Sequence, residues 1–275
     1  MDWYYEVSGE RGKSGMTQSM IQIQKISKSF IQRNQIEKVL DQISFDVQKG
    51  EVISILGKSG CGKSTLLNLI GGFEQTEEGQ ILLDGERIIK PTRRCIMLMQ
   101  NYGLLPWRSV LKNVELGLEN TNTTKQDRRE RAEHYLKMVG LFEKADSFPY
   151  ELSGGMQQRV AIARALVTKP EVILMDEPFA ALDTFTRYYL QDELLNIQEK
   201  EKATIILVTH DIDEAIYLSD RIFIMSPNPG RIHRELHVPS SKPRDRSDAE
   251  FQRLREIIFN EFHFNHPVAP IEYNI

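Results

Sequence analysis

The sequence predicts an α/β protein built around a mostly parallel sheet, and three features lead there. The runs "VISILG", "VILMD" and "TIILVTH" are almost wholly apolar, as strands covered on both faces are. Helix-like stretches alternate with them, the order of βαβ units. One strongly charged helical stretch, residues 123–147, interrupts that order and reads as an inserted helical part.

Each element can be read in turn. From Ile21 to Gly50 the pattern is strand, turn, strand, "IQIQKISKSF" then "ISFDVQKGE", an N-terminal antiparallel part. "VISILG" is a central strand and "KSTLLNLIGGF" a helix. "GQILLDGERI" is a strand with an Asp-Gly turn. After the charged stretch, "QQRVAIARAL" is a helix, "VILMD" a buried strand, "TRYYLQDELLNIQEKE" a helix and "TIILVTH" a third buried strand. "RIFIMS" and "RIHRELHV" form a closing hairpin joined by "PNPG". Residues 1–20 read as a flexible extension with Met16 and Met20 as alternative starts, and 238–275 as a C-terminal helix and loose tail.

Composition excludes several classes. The 275 residues suit one large α/β domain with appendages, or two small domains. A net charge of -4 argues against a general nucleic-acid binder. The two cysteines, Cys61 and Cys95, form no CxxC pair, which argues against a disulfide scaffold or zinc site and fits a reducing cytosol. No apolar run approaches the roughly 18 residues of a membrane span. The polar N-terminus lacks a signal-peptide core. A membrane role therefore needs a partner.

"GKSGCGKST", comprising Gly57, Lys58, Ser59, Gly60, Cys61, Gly62, Lys63, Ser64 and Thr65, fits G-x-x-x-x-G-K-[ST] between a strand and a helix. Its glycines let the backbone wrap phosphate oxygens, and the helix N-terminus adds positive potential. Lys63 would reach the β- and γ-phosphates and Ser64 would ligate Mg²⁺. Cys61 is either a small tolerated side chain or a redox switch. "GERGKSG" near the N-terminus is a decoy, because Val7 stands where the first glycine should be. "VILMDEP" ends in Asp176, placed to hold the magnesium shell, and Glu177, placed to polarise a water. "LSGGMQQR", Leu152 to Arg159, adds a second phosphate-binding shape, a glycine pair opening a helix near Met156 with Ser153 as cap.

Leu152-Ser153-Gly154-Gly155-Met156-Gln157 resembles the signature of the ATP-binding subunits of ABC transporters. The resemblance covers about residues 21–237, a P-loop nucleotide-binding domain with a helical subdomain at about 101–160. Its other parts occur in order: Gln100 resembles the Q-loop glutamine, "AALD" ending in Asp183 the D-loop, and His210 the switch histidine. Phe30 lies where family members stack an aromatic on adenine, and Val39 falls in the same nucleotide-contacting set. The resemblance implies ATP and Mg²⁺ as cofactors, with Ser64, Gln100 and Asp176 around the metal. It implies Glu177 as catalytic base, assisted by His210 and Lys63. It also implies a head-to-tail pair of copies in which Ser153, Gly154 and Gly155 of one copy meet the γ-phosphate held by the other.

The segment "QNYGLLPWRSVLKNVELGLE" and "PNPGRIHRE" resemble the branch of importers for nitrate, sulfonate and taurine. The implied partners are a transmembrane permease and, indirectly, a solute-binding protein, with no nucleic acid, at the cytoplasmic face of the membrane. Trp107 is either an exposed docking residue for the permease or packed inside the helical subdomain. Asn101 departs from relatives that carry an acid there. Related importers carry thiamine-precursor pyrimidines, riboflavin or bicarbonate. A soluble ABC ATPase acting on nucleic acid or ribosomes, and a non-catalytic regulatory subunit, are the competing readings.

Overall fold

The computed structural model describes residues 19–32, 35–99, 102–180 and 182–264. In chain order its strands are β1 Ser19–Gln32, β2 Gln35–Gln48, β3 Val52–Gly57, β4 Glu78–Leu83, β5 Glu86–Arg87, β6 Cys95–Leu98, β7 Val172–Asp176, β8 Thr204–Thr209, β9 Arg221–Ser226 and β10 Arg231–His237. Its helices are α1 Lys63–Ile70, α2 Val110–Glu115, α3 Lys125–Met138, α4 Gly154–Leu166, α5 Thr184–Glu201, α6 Ile212–Leu218 and α7 Ala249–Phe264.

Two sheets result. The first, in the order β2-β1-β4-β5, is antiparallel throughout. The second, in the order β10-β9-β3-β8-β7-β6, is parallel except for β10. β3 and β8 are buried at every position. Their alternate residues feed two cores: Ile53, Ile55, Ile206 and Val208 pack with α1 and the first sheet, while Val52, Leu56, Ile205 and Leu207 pack with α2 to α7. The apolar runs are thus continuous because each face of the sheet has its own cover. The Asp84-Gly85 turn between β4 and β5 has both residues at positive φ, 50° and 82°, as a tight hairpin requires.

The structure departs from the sequence reading at several places. β1 begins at Ser19, so Met20, read as extension, is a core residue. The helical insertion between β6 and β7 continues to Leu166. α2 and α6 are absent from the sequence reading, because six and seven residues are too few to display a helical period. The chain after β10 is packed: Val238 and Arg244 are buried. Arg244 donates to the carbonyls of Ile216 and Tyr217, satisfying the C-terminal end of α6. Residues 1–18, including the decoy, and residues 265–275 lie outside the described residues.

The "PNPG" turn has a specific seat. Gly230 donates to the Val39 carbonyl at 2.8 Å and accepts from the Asp41 amide at 3.0 Å. A Cβ at Gly230 would lie 2.3 Å from the Cys61 carbonyl oxygen, inside the glycine-rich loop. Gly230→Ala must therefore push that loop. The expected outcome is a loss of about 1–3 kcal/mol of stability, as in overpacking, together with weaker nucleotide binding. Thermal unfolding and titration calorimetry measure the two effects.

Candidate nucleotide-binding site

The parallel order of β3, β8 and β7 sets their carboxyl ends side by side, where ligands of open α/β sheets bind. Leu56 lies opposite Thr209, and Asp176 opposite Val208. The glycine-rich loop leaves β3 there. Lys58, Ser59 and Gly60 are exposed, Gly62 caps α1, and Lys63 and Ser64 form its first turn with Thr65. The first N–H groups of α1 have no intrahelical acceptor and form a cradle for an anion. Lys63 is buried, and its Nζ donates to the carbonyls of Gly57 at 2.8 Å and Lys58 at 3.1 Å, drawing the loop around the ammonium.

The Ser64 hydroxyl donates to Asp176 Oδ1 at 3.2 Å. Burial raises the Asp176 carboxyl above its usual range, and the Ser64 hydrogen bond pulls it back. A hydroxyl and a carboxylate oxygen together are a hard-oxygen donor pair. They fit Mg²⁺, which takes one or two protein ligands and completes its shell with phosphates and water. Among the described residues no group of three or more His, Cys, Asp or Glu could hold a metal.

Glu177 follows directly. Its φ of 46° is in the left-handed region, a strained conformation for a side chain of this kind. Its amide donates to the Val208 carbonyl at 2.9 Å, which holds the turn. Glu177 Oε1 lies 3.1 Å from His210 Nδ1, so the residue after β7 and the residue after β8 meet.

A second constellation sits apart. Ser153 caps α4, its Oγ accepting from the Met156 amide at 3.3 Å, and the helix begins at Gly154 rather than near Met156. Ser153 and Gly154 are exposed and Gly155 is buried. A Cβ on Gly155 would lie 2.6 Å from Thr186 Cγ2, so packing against α5 demands that glycine. At Gly154 the nearest atoms would be 3.8 Å and 4.0 Å away, ordinary contact that a Cβ would not strain. Packing requires one glycine of the pair and does not require the other. Among the described residues no hydrogen bond joins Ser153, Gly154 or Gly155 to Lys63, Ser64, Asp176, Glu177 or His210. Asp183 caps α5, its Oδ1 accepting from Phe185 and Thr186 amides at 3.1 Å.

The remaining expected residues are spread along the edges. Val39 backs the loop, receiving Gly230, while Phe30 on β1 has the Lys28 ammonium 5.0 Å from its ring centroid. Gln100, Asn101 and the second alanine of "AALD" lie outside the described residues. Cys61 is buried, and burial raises its thiol pKa, which disfavours the reactive thiolate. Trp107 is 72% exposed, which removes the packed alternative. Its loop is fixed by the buried Asn113, which accepts from the Leu105 amide and donates to the carbonyls of Leu105, Arg108 and Ser109.

An ABC transporter family model matches residues 40–180. The chain is 46% identical to the aliphatic sulfonates import ATP-binding protein SsuB of Bacillus thuringiensis, over 88% of this chain and 95% of that protein. The chain belongs to the ABC transporter family. The nitrate import ATP-binding protein NrtD of Synechococcus elongatus is 44% identical, over 78% of this ABC chain and 81% of the relative. Among solved structures, the dimeric post-hydrolysis state of the ATP-binding cassette MJ0796 bound to ADP and Pi superposes with a TM-score of 0.71 at 34% identity, covering 81% of this chain and all of that one.

One residue beside this ABC site escaped the sequence reading. Glu214 in α6 is buried, and its Oε1 has no hydrogen-bond partner among the described residues. Burial, reinforced by the Asp211 carboxylate, raises its carboxyl from the ordinary 4.5 to about 8. Only three-dimensional packing reveals this, because one glutamate in "DIDEA" looks like any solvated acid. Between those two values the folded chain binds a proton that the unfolded chain has released. The contribution of Glu214 to stability is therefore fully present below about 4.5 and is lost as the pH rises toward about 8. Glu214→Gln should flatten that slope in chemical unfolding measured from pH 5 to 8, and an unchanged slope would place the titration elsewhere.

Proposed function

We propose that this chain is the ATP-hydrolysing subunit of an importer, working as a pair of copies beneath a separate membrane permease. The observation that carries it is the meeting of Lys63, Ser64, Asp176, Glu177 and His210 at one sheet edge, with Glu177 and His210 3.1 Å apart. The loop amides and the Lys63 ammonium hold the phosphates of ATP. Ser64 and Asp176, 3.2 Å apart, would hold Mg²⁺, with Gln100 as a further expected ligand. When bound there, the ion would supply neutralisation of the phosphate charge that develops in phosphoryl transfer. Glu177 takes the proton of the attacking water, and His210, through its Nδ1 contact, keeps that carboxylate aimed, which would leave its other nitrogen for the γ-phosphate. ADP and phosphate leave. Phe30 stacks on the adenine.

The exposed Ser153–Gly154 helix start, separate from the phosphate loop in its own chain, suits the γ-phosphate of a second copy. The dimeric cassette with ADP and Pi supports that pairing. Among the described residues no helix is long and apolar enough to cross a membrane, so passage of the solute falls to a partner. The exposed Trp107, on a loop rigidly held by Asn113, is the docking residue for that permease. Relatives named for sulfonate and nitrate import favour a small anion as solute, delivered by a binding protein, over a nucleic-acid role.

Two measurements test this. Glu177→Gln should keep ATP binding while hydrolysis falls ~100-fold or more, the scale of a lost general base; turnover near wild type would remove Glu177 from that role. Affinity purification of the tagged chain from mildly solubilised membranes should bring down a polytopic permease, and Trp107→Ala should reduce that recovery. Recovery with ribosomes or DNA alone would overturn the transport reading.

A further inference from the structure

Arg187, on the first turns of α5, is drawn into neither the phosphate loop nor the signature, yet its guanidinium touches two functional loops at once. Nη1 donates to Asp211 Oδ2 at 3.1 Å, and Nη2 donates to the Leu182 carbonyl at 3.2 Å. Asp211 follows His210 immediately. Leu182 precedes Asp183 and packs beside Gly154, its Cδ2 being 3.8 Å from where a Cβ of that glycine would lie.

These contacts close a ring. Glu177 meets His210 through Nδ1, and the His210 loop is held through Asp211 by Arg187. Arg187 holds Leu182, and the loop returns to Glu177 through the Ala180 amide, which donates to the Glu177 carbonyl at 3.3 Å. Asp211 is fixed independently, its Oδ1 capping α6 at the Glu214 amide at 3.1 Å, so it is a firm anchor. The side chains of Arg187 and Asp211 are 27% and 32% exposed, and Arg187 Nε is buried without a partner among the described residues. A pair this well hydrated contributes little to global stability. Its geometric role is larger. Two acceptors in different loops need two directed donors from one rigid plane, which a guanidinium supplies and an ammonium does not.

We infer that Arg187 is a positioning residue that ties the loop before Asp183 to the loop of His210, so that the Glu177–His210 pair and the face presented to the second copy keep one geometry. This rests on the ATPase reading above. The link acts after nucleotide has bound, because Arg187 touches neither Lys63 nor the phosphate loop among the described residues.

The test is steady-state ATP hydrolysis by the purified full-length chain, with thermal unfolding alongside. Arg187→Met should lower kcat roughly tenfold, the scale of a lost hydrogen bond to a charged group, with KM within about twofold and the melting temperature nearly unchanged. Arg187→Lys, which can pair with Asp211 alone, should fall between. Asp211→Asn, which keeps the cap of α6, should lower kcat several-fold. The double variant Arg187→Met with Asp211→Asn should be no slower than Arg187→Met, because both break one link. A kcat within twofold of wild type in Arg187→Met, or losses that multiply in the double variant, would overturn the inference in a protein that still hydrolyses ATP. A wild-type chain without hydrolysis would instead overturn the ATPase reading, and this inference with it. Should Arg187→Met fail to fold, the Lys and Asn variants decide: wild-type kcat in both overturns the link.

Discussion

The parallel hydrogen-bond register of β3, β8 and β7 is the constraint on which the site depends. Because the three strands run the same way, the residues that follow them emerge at one edge, with Asp176 across from Val208 and Leu56 across from Thr209. Parallel strands need covered faces, and the two separate cores above and below the sheet supply them. Removal of either cover would leave no reason for the glycine-rich loop, the carboxylates and His210 to share one place.

On that edge the backbone takes conformations that cost free energy. Glu177 stands at a φ of 46°, and its turn is retained by the Val208 carbonyl on one side and His210 on the other. Strain of this kind persists only where the surroundings over-determine it. The glycine-rich loop is similarly enclosed, with the Lys63 ammonium inside and Gly230 pressed against its outer carbonyl. The loop is thus held from two sides, while Lys58, Ser59 and Gly60 stay exposed.

The rest of the molecule presents surfaces that one chain leaves open. Among the described residues the helix headed by Ser153 and Gly154 makes no hydrogen bond to the glycine-rich loop, and Trp107 is held outward by the four hydrogen bonds of Asn113. Arg187 runs between the inner pair and the outer helix start. In the proposed assembly, closure of a second copy over ATP and the aim of Glu177 are therefore mechanically joined, with solute passage left to a partner in the membrane.

The sequence by itself determined the sheet order class, the glycine-rich loop, the acid pair at Asp176 and Glu177, and the separate helix start at Ser153. Each of these is written in a local pattern: an apolar run, a fixed glycine spacing, a cap before a helical period. Short elements such as α2 and α6 carry too few residues for a period, so they appeared only in the structure. What only tertiary packing decided are facts about distant neighbours. Gly155 is required by Thr186 and Gly230 by Cys61; Asn113 is a clamp; Glu214 is a buried acid; Arg187 bridges two loops. No local pattern encodes them, because a side chain's charge, burial and partners depend on residues that come close only when the sheet has assembled.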